Sequence, residues 1–118
     1  MLLEFLVLFW SAPFKPEVLT VPIVYAQEID TKSAYIEKLI DCESQNRPEI
    51  KILDTDGYYS YGAGQFHLAT WLSFGKAFGA TKENIYDGNL QRVVIRDMLD
   101  KGLWRHWYNC GKKLGEYK

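Results

Sequence analysis

The chain has 118 residues, enough for one small domain, and its 47% apolar and 25% charged content is that of a globular protein rather than a disordered one. Its 14 Lys and Arg are balanced by 15 Asp and Glu, so no basic excess draws it to nucleic acid. Aromatics make up 15% of the residues, a share that suits a core and a sugar-binding groove equally well.

Residues 1–26 differ in character from the rest. Two apolar runs, Met1–Ala12 and Val18–Ala26, flank Pro13-Phe14-Lys15-Pro16-Glu17. That break leaves neither run with the roughly 20 uninterrupted apolar residues a membrane-spanning helix needs. Lys15, the second run and Val24-Tyr25-Ala26 fit a secretory signal cleaved after Ala26, although Glu4 intrudes and no basic residue precedes Leu2. The expected organisation is a targeting segment over 1–26 and an exported domain over 27–118, periplasmic or extracellular. The alternative is an N-terminus that associates with a membrane or packs into the core.

Asp30 or Thr31 can cap a first helix running to about Gln45. Ile36, Leu39 and Ile40 form its apolar stripe at helical spacing, and the next position on that stripe is Glu43. Asn46-Arg47-Pro48 ends the helix, because the residue before proline avoids helical geometry. Ile50–Leu53 and Tyr58–Tyr61 read as short strands around the turn signal Asp54-Thr55-Asp56-Gly57. Gly62 and Gly64 permit tight backbone geometry. A second helix is expected from Gln65 to about Phe78, with Phe66, Trp71, Phe74 and Phe78 apolar and Gly79 at its end. Asp87 caps a third over Gly88–Lys101, with Leu90, Val93, Val94 and Met98 inward and Gly102 as its stop. Leu103–Cys110 is an aromatic segment of one or two helical turns. The fold class is mainly α, with a small β or irregular loop after the first helix.

Cys42 and Cys110 are the two cysteines. An even count in a small exported domain points to a disulfide; the alternative is two buried thiols, and the spacing matches no zinc site.

Glu43 carries the chemistry that stands out. A carboxyl on an apolar stripe points toward the core or a cleft, where burial raises its pKa. A carboxylic acid still protonated near neutrality can protonate the bridging oxygen of a glycosidic bond. The bland alternative is a half-exposed Glu paired with Lys38 or Arg47. Ser60, Gly62 and Gln65 supply a hydroxyl, close backbone approach and an amide, which suit a groove for acetamido and hydroxyl groups, or else an ordinary turn. Asp56 or Asp54 is the candidate second acid. Asp-x-Asp-Gly is also common turn chemistry, and as a calcium loop it lacks the remaining ligands.

Residues 36–71 resemble the lysozyme-like superfamily, in particular its soluble lytic transglycosylase branch. The resemblance rests on Glu43-Ser44 at a helix end, then Ser60-Tyr61-Gly62-Ala63-Gly64-Gln65-Phe66, then Thr70-Trp71; Tyr108-Asn109-Cys110-Gly111 is similar to the family's later Tyr-Asn-x-Gly motif. It implies an α+β lysozyme-like fold with helices around a glycan cleft. It also implies cleavage of peptidoglycan between N-acetylmuramic acid and N-acetylglucosamine. Glu43 would be the acid/base, Ser60 would bond that carboxylate or the substrate, Gln65 would line the groove, and Tyr108 would orient Glu43. No metal or cofactor is required. The partner would be a peptidoglycan strand, met by a monomer acting alone or within a secretion or cell-envelope assembly. The alternatives are a hydrolytic lysozyme using a second Asp, a non-catalytic glycan-binding module, and a thiol hydrolase pairing Cys42 with His67 or His106.

Overall fold

A computed structural model describes residues 31–117. The targeting segment read over 1–26 and the helix cap at Asp30 lie outside the described residues.

Helix α1 covers residues 31–44 and buries Ile36, Leu39 and Ile40, as the spacing predicts. It stops because Gln45 and Asn46 turn into the left-handed region, at φ 56° and 55°. Buried Ser44 closes this end. Its Oγ donates to the Ile40 carbonyl at 3.1 Å and accepts from the Arg47 N–H at 3.3 Å, while Arg47 Nε donates to the Ser44 carbonyl at 2.8 Å.

Strands β1 (Lys51–Leu53) and β2 (Tyr59–Tyr61) pair antiparallel with Ile52 opposite Ser60. The turn between them is held by the Asp54 N–H on the Tyr58 carbonyl at 2.9 Å and the Gly57 N–H on the Asp54 carbonyl at 3.0 Å. Gly57 sits at φ 87°, where a side chain would be strained.

The second helix is shorter than expected. Tyr61 and Phe66 exchange both backbone hydrogen bonds, at 2.9 and 3.0 Å, across a turn in which Gly62 and Gln65 have φ 76° and 53°. His67 is still extended, so helix α2 begins only at Leu68 and ends at Phe74. Lys76–Phe78 forms a separate 3-10 turn closed by Gly79, and Phe78, expected inward, is 39% exposed.

Helix α3 (Gly88–Asp100) starts as predicted, with Asp87 accepting from the N–H groups of Asn89 and Leu90. Its inward arc is Gln91, Val94, Ile95 and Met98; Val93 falls on the other side of that arc and is 46% exposed, correcting the expected face. A 3-10 turn (Trp104–Trp107) leads into helix α4 (Tyr108–Leu114). The Cys42–Cys110 disulfide forms, with the Cα atoms 5.9 Å apart, and ties α4 to the end of α1. The described fold is therefore mainly helical with one two-stranded sheet. Phe66 occupies its centre, edge-on to Trp71 and Trp107 at 5.2 and 5.6 Å.

One buried polar residue organises the turn after β2. Gln91 is 0% exposed. Its Oε1 accepts from the Gly64 N–H at 2.7 Å, and its Nε2 donates to the Tyr61 carbonyl at 3.1 Å and to the Ile85 carbonyl. Trp107 Nε1 donates to the Gly64 carbonyl at 2.7 Å. Gly62 is glycine because a Cβ there would meet Gln91 Nε2 at 2.4 Å. Gln91→Leu keeps the volume but strands the Gly64 N–H and the Ile85 carbonyl in the core, while the Tyr61 carbonyl keeps its bond from Phe66, at about 1–3 kcal/mol for each unsatisfied group. Urea melts should show the variant less stable by about 2–5 kcal/mol; a loss below about 0.5 kcal/mol, the usual effect of an ordinary surface change, would mean the turn holds itself.

Candidate active site

A cleft of about 710 Å³ opens along one side of the domain. Glu43 from α1, Asp54, Asp56 and Ser60 from the hairpin, Gln65 and His67 from the following turn, and Arg105–Cys110 from the C-terminal segment all line it.

Glu43 is half-buried at the end of α1, where the helical stripe delivers it into the cleft. Among the described residues it has no salt bridge, and the alternative pairing with Arg47 is not made, since that guanidinium bonds the Ser44 carbonyl. Burial without a cation, reinforced by the negative charge of Asp54, pushes the Glu43 carboxyl up to about 7.

Asp54 is the second acid of the cleft. Its Oδ2 accepts from Ser60 Oγ and from His67 Nε2, the latter at 2.9 Å. Burial pushes this carboxyl up, but the hydrogen bonds from Ser60 and His67 and the imidazole's charge outweigh burial and hold it below its ordinary value. The cleft therefore drives two carboxyls apart, one toward the acid form and one toward the carboxylate. Asp56, the other candidate second acid and the one the sequence reading put first, is exposed: its Oδ1 accepts from the Tyr58 N–H at 2.9 Å and its Oδ2 lies 3.9 Å from His67 Nε2. The charge that acts on Glu43 is that of Asp54. Donor atoms of Asp54, Asp56 and His67 lie within 4.8 Å of one another, but this group is engaged internally, by Ser60, His67 and the turn.

The remaining predicted residues separate into two groups. Ser60, Gln65 and Tyr108 line the cleft. Buried Ser60 bonds Asp54 rather than Glu43. Gln65 donates from Nε2 to the Gly62 carbonyl at 2.9 Å. Tyr108 is stacked on Trp104 at 5.9 Å, with the Lys112 ammonium 5.3 Å from its ring, and has no hydrogen bond to Glu43 among the described residues. Gly62 is buried against Gln91 and does not line the cleft; its missing side chain serves packing. Cys42 is consumed by the disulfide, which removes the thiol-hydrolase reading.

Sequence reasoning missed His67 as a partner of the acids and left both Asp54 and Asp56 as candidates for the second acid. A signal was present. The register that sets Ile52 opposite Ser60 brings Asp54 and Ser60 to one face as diagonal neighbours. His106, in the same cleft, has its imidazole pushed down by burial and by His67. No helix among the described residues is long and apolar enough to cross a membrane. No family model matches the chain, and neither a curated protein nor a solved structure does.

Proposed function

We propose that this chain cleaves the glycosidic bond between N-acetylmuramic acid and N-acetylglucosamine in peptidoglycan, with Glu43 as the proton donor. The observation that carries the reading is a carboxyl in an open cleft, partnered by no cation, that burial keeps protonated up to about pH 7. Such a group protonates the leaving oxygen as the bond breaks. The choice of peptidoglycan rests on the resemblance of Glu43-Ser44 and Ser60–Phe66 to the lytic transglycosylase motifs. A lysozyme-like fold follows from that resemblance, and the helix, hairpin and cleft arrangement is compatible with it. Export is part of the same proposal, because disulfides persist in oxidising compartments and Cys42–Cys110 is one.

In the transglycosylase route the muramyl 6-hydroxyl attacks C1. Glu43 acts twice, giving its proton to the bridging oxygen and then taking the proton of the hydroxyl. The nucleophile is already tethered to the substrate, so proximity replaces a positioned water. A second reading, hydrolysis, is favoured by a specific observation: Asp54 is not a loose turn residue but a carboxylate held by Ser60 and His67 in the cleft that holds Glu43. Such a pair suits an inverting hydrolase, in which the carboxylate activates water.

Mass spectrometry of purified peptidoglycan digested by the protein separates these routes. The transglycosylase leaves 1,6-anhydro ends, lighter by one water than hydrolytic ends, and Asp54→Asn retains most activity. The hydrolase leaves free reducing ends, and Asp54→Asn loses at least ~10²-fold, the usual contribution of a general base. Binding to the polymer without release of fragments would replace both routes with a glycan-binding module.

A further inference from the structure

We propose that His67 is a positioning residue that decides which nucleophile completes the cleavage: by fixing the Asp54 carboxylate in the cleft, it lets water compete with the substrate's own 6-hydroxyl. The inference rests on the Glu43-dependent cleavage proposed above.

The geometry is asymmetric in a way that suits a base. His67 Nε2 and Ser60 Oγ both donate to the same oxygen, Asp54 Oδ2. Asp54 Oδ1 is left without a protein partner among the described residues, so one oxygen anchors the carboxylate and the other stays available. His67 is itself held in place. It caps α2 with extended backbone, at φ −70° and ψ 145°, and its ring lies against Tyr58 with centroids 5.9 Å apart. The contact bridges 13 positions of sequence, joining the hairpin turn to the start of α2. The charged and titratable groups around Asp54 come from every wall of the cleft: Glu43 from α1, Asp56 from its own turn, His67 from the start of α2, and Arg105 and His106 from the C-terminal segment.

The two routes use this arrangement differently. In hydrolysis Glu43 gives its proton to the bridging oxygen and the C1–O bond breaks. A water oxygen bonds to C1, the water's proton passes to Asp54, and one water is consumed. In the intramolecular route the 6-hydroxyl oxygen bonds to C1, its proton goes to Glu43, and no water is consumed. Only the first route needs an aimed Asp54. Loosening Asp54 should therefore cost the hydrolytic product and spare the anhydro product.

The experiment measures the ratio of free-reducing to 1,6-anhydro ends released from purified peptidoglycan by the parent, His67→Ala and His67→Gln, each checked for folding by thermal melting. The parent should release a measurable share of free reducing ends. His67→Ala should lower the ratio at least about tenfold, a fraction of what a general base contributes. His67→Gln, whose amide nitrogen can still donate to Asp54, should restore most of it. In an Asp54→Asn background, where the carboxylate that His67 holds is gone, His67→Ala should leave the ratio unchanged. A fall of both products in the same proportion, or a parent that releases only anhydro ends, overturns the role of His67 and leaves Glu43 in place. A parent that releases nothing overturns the reading of Glu43 instead, and the role of His67 with it.

Discussion

Glu43→Gln is expected to lower peptidoglycan degradation by at least ~10²-fold, the lower end of what a positioned acid/base group contributes. The amide keeps the shape of the side chain and its place beside the apolar stripe of α1, but it has no proton to give. The parent's activity should fall as pH rises through about 7, where the Glu43 carboxyl ionises. The same substitution should change stability with a definite sign. Between the ordinary value of 4.5 and about 7 the unfolded chain releases this proton while the folded chain keeps it. Fewer protons are then bound in the unfolded state, so the parent loses stability as pH rises through that window. The variant has no such loss. It should match the parent near pH 4 and exceed it at pH 8, by about 1–2 kcal/mol once solvent screening of a half-buried group is allowed for. Urea melts at the two pH values measure this. Near-normal turnover by the folded variant would remove Glu43 from the mechanism, and equal stability at pH 8 would mean that the carboxylate is not penalised by burial.

Breaking the Cys42–Cys110 disulfide should have a large effect on stability and on the cleft together. The bond closes a loop of 68 residues, and in the chain-entropy model that stabilises the fold by about 4 kcal/mol at 25 °C. For a domain of this size such a loss corresponds to a fall in Tm on the order of 20 °C. The bond also lies beside the proposed acid. Cys42 precedes Glu43, and Cys110 lines the cleft beside Tyr108 and Asn109. Reduction, or the Cys42→Ser/Cys110→Ser double substitution, should therefore loosen one wall of the cleft and lower activity at temperatures where the parent is stable. A Tm that does not respond to reductant, or two thiols titrating in protein isolated without reductant, would refute the expectation.

Some of this was legible in the residues alone, because the signals are local. The Ile36/Leu39/Ile40 stripe defines which face of α1 is buried and sends Glu43 after it, since a helix repeats its face every three to four residues. Asp54-Thr55-Asp56-Gly57 makes a turn through its own short-range hydrogen bonds and Gly57's φ of 87°, so the hairpin follows from the segment itself. Asp87 caps α3 through N–H groups two and three residues away. The remaining features depend on partners distant in the chain. Helix α2 starts late because Phe66 spends its backbone on Tyr61 rather than on a helical turn. Gln91, between Leu90 and Arg92, carries no local signal of burial; it is buried because Gly64, Tyr61 and Ile85, from other segments, take up its amide. Asp54 and Asp56 are two residues apart in one turn with equivalent chemistry. Only the arrival of Ser60 from β2 and His67 from the start of α2 makes one an anchored carboxylate of the cleft and leaves the other exposed. Periodicity and turn chemistry act over a few residues and can be read in order. Burial and hydrogen-bond partners are assigned by segments that meet only when the chain has folded, and those assignments set the charge state of each acid in the cleft.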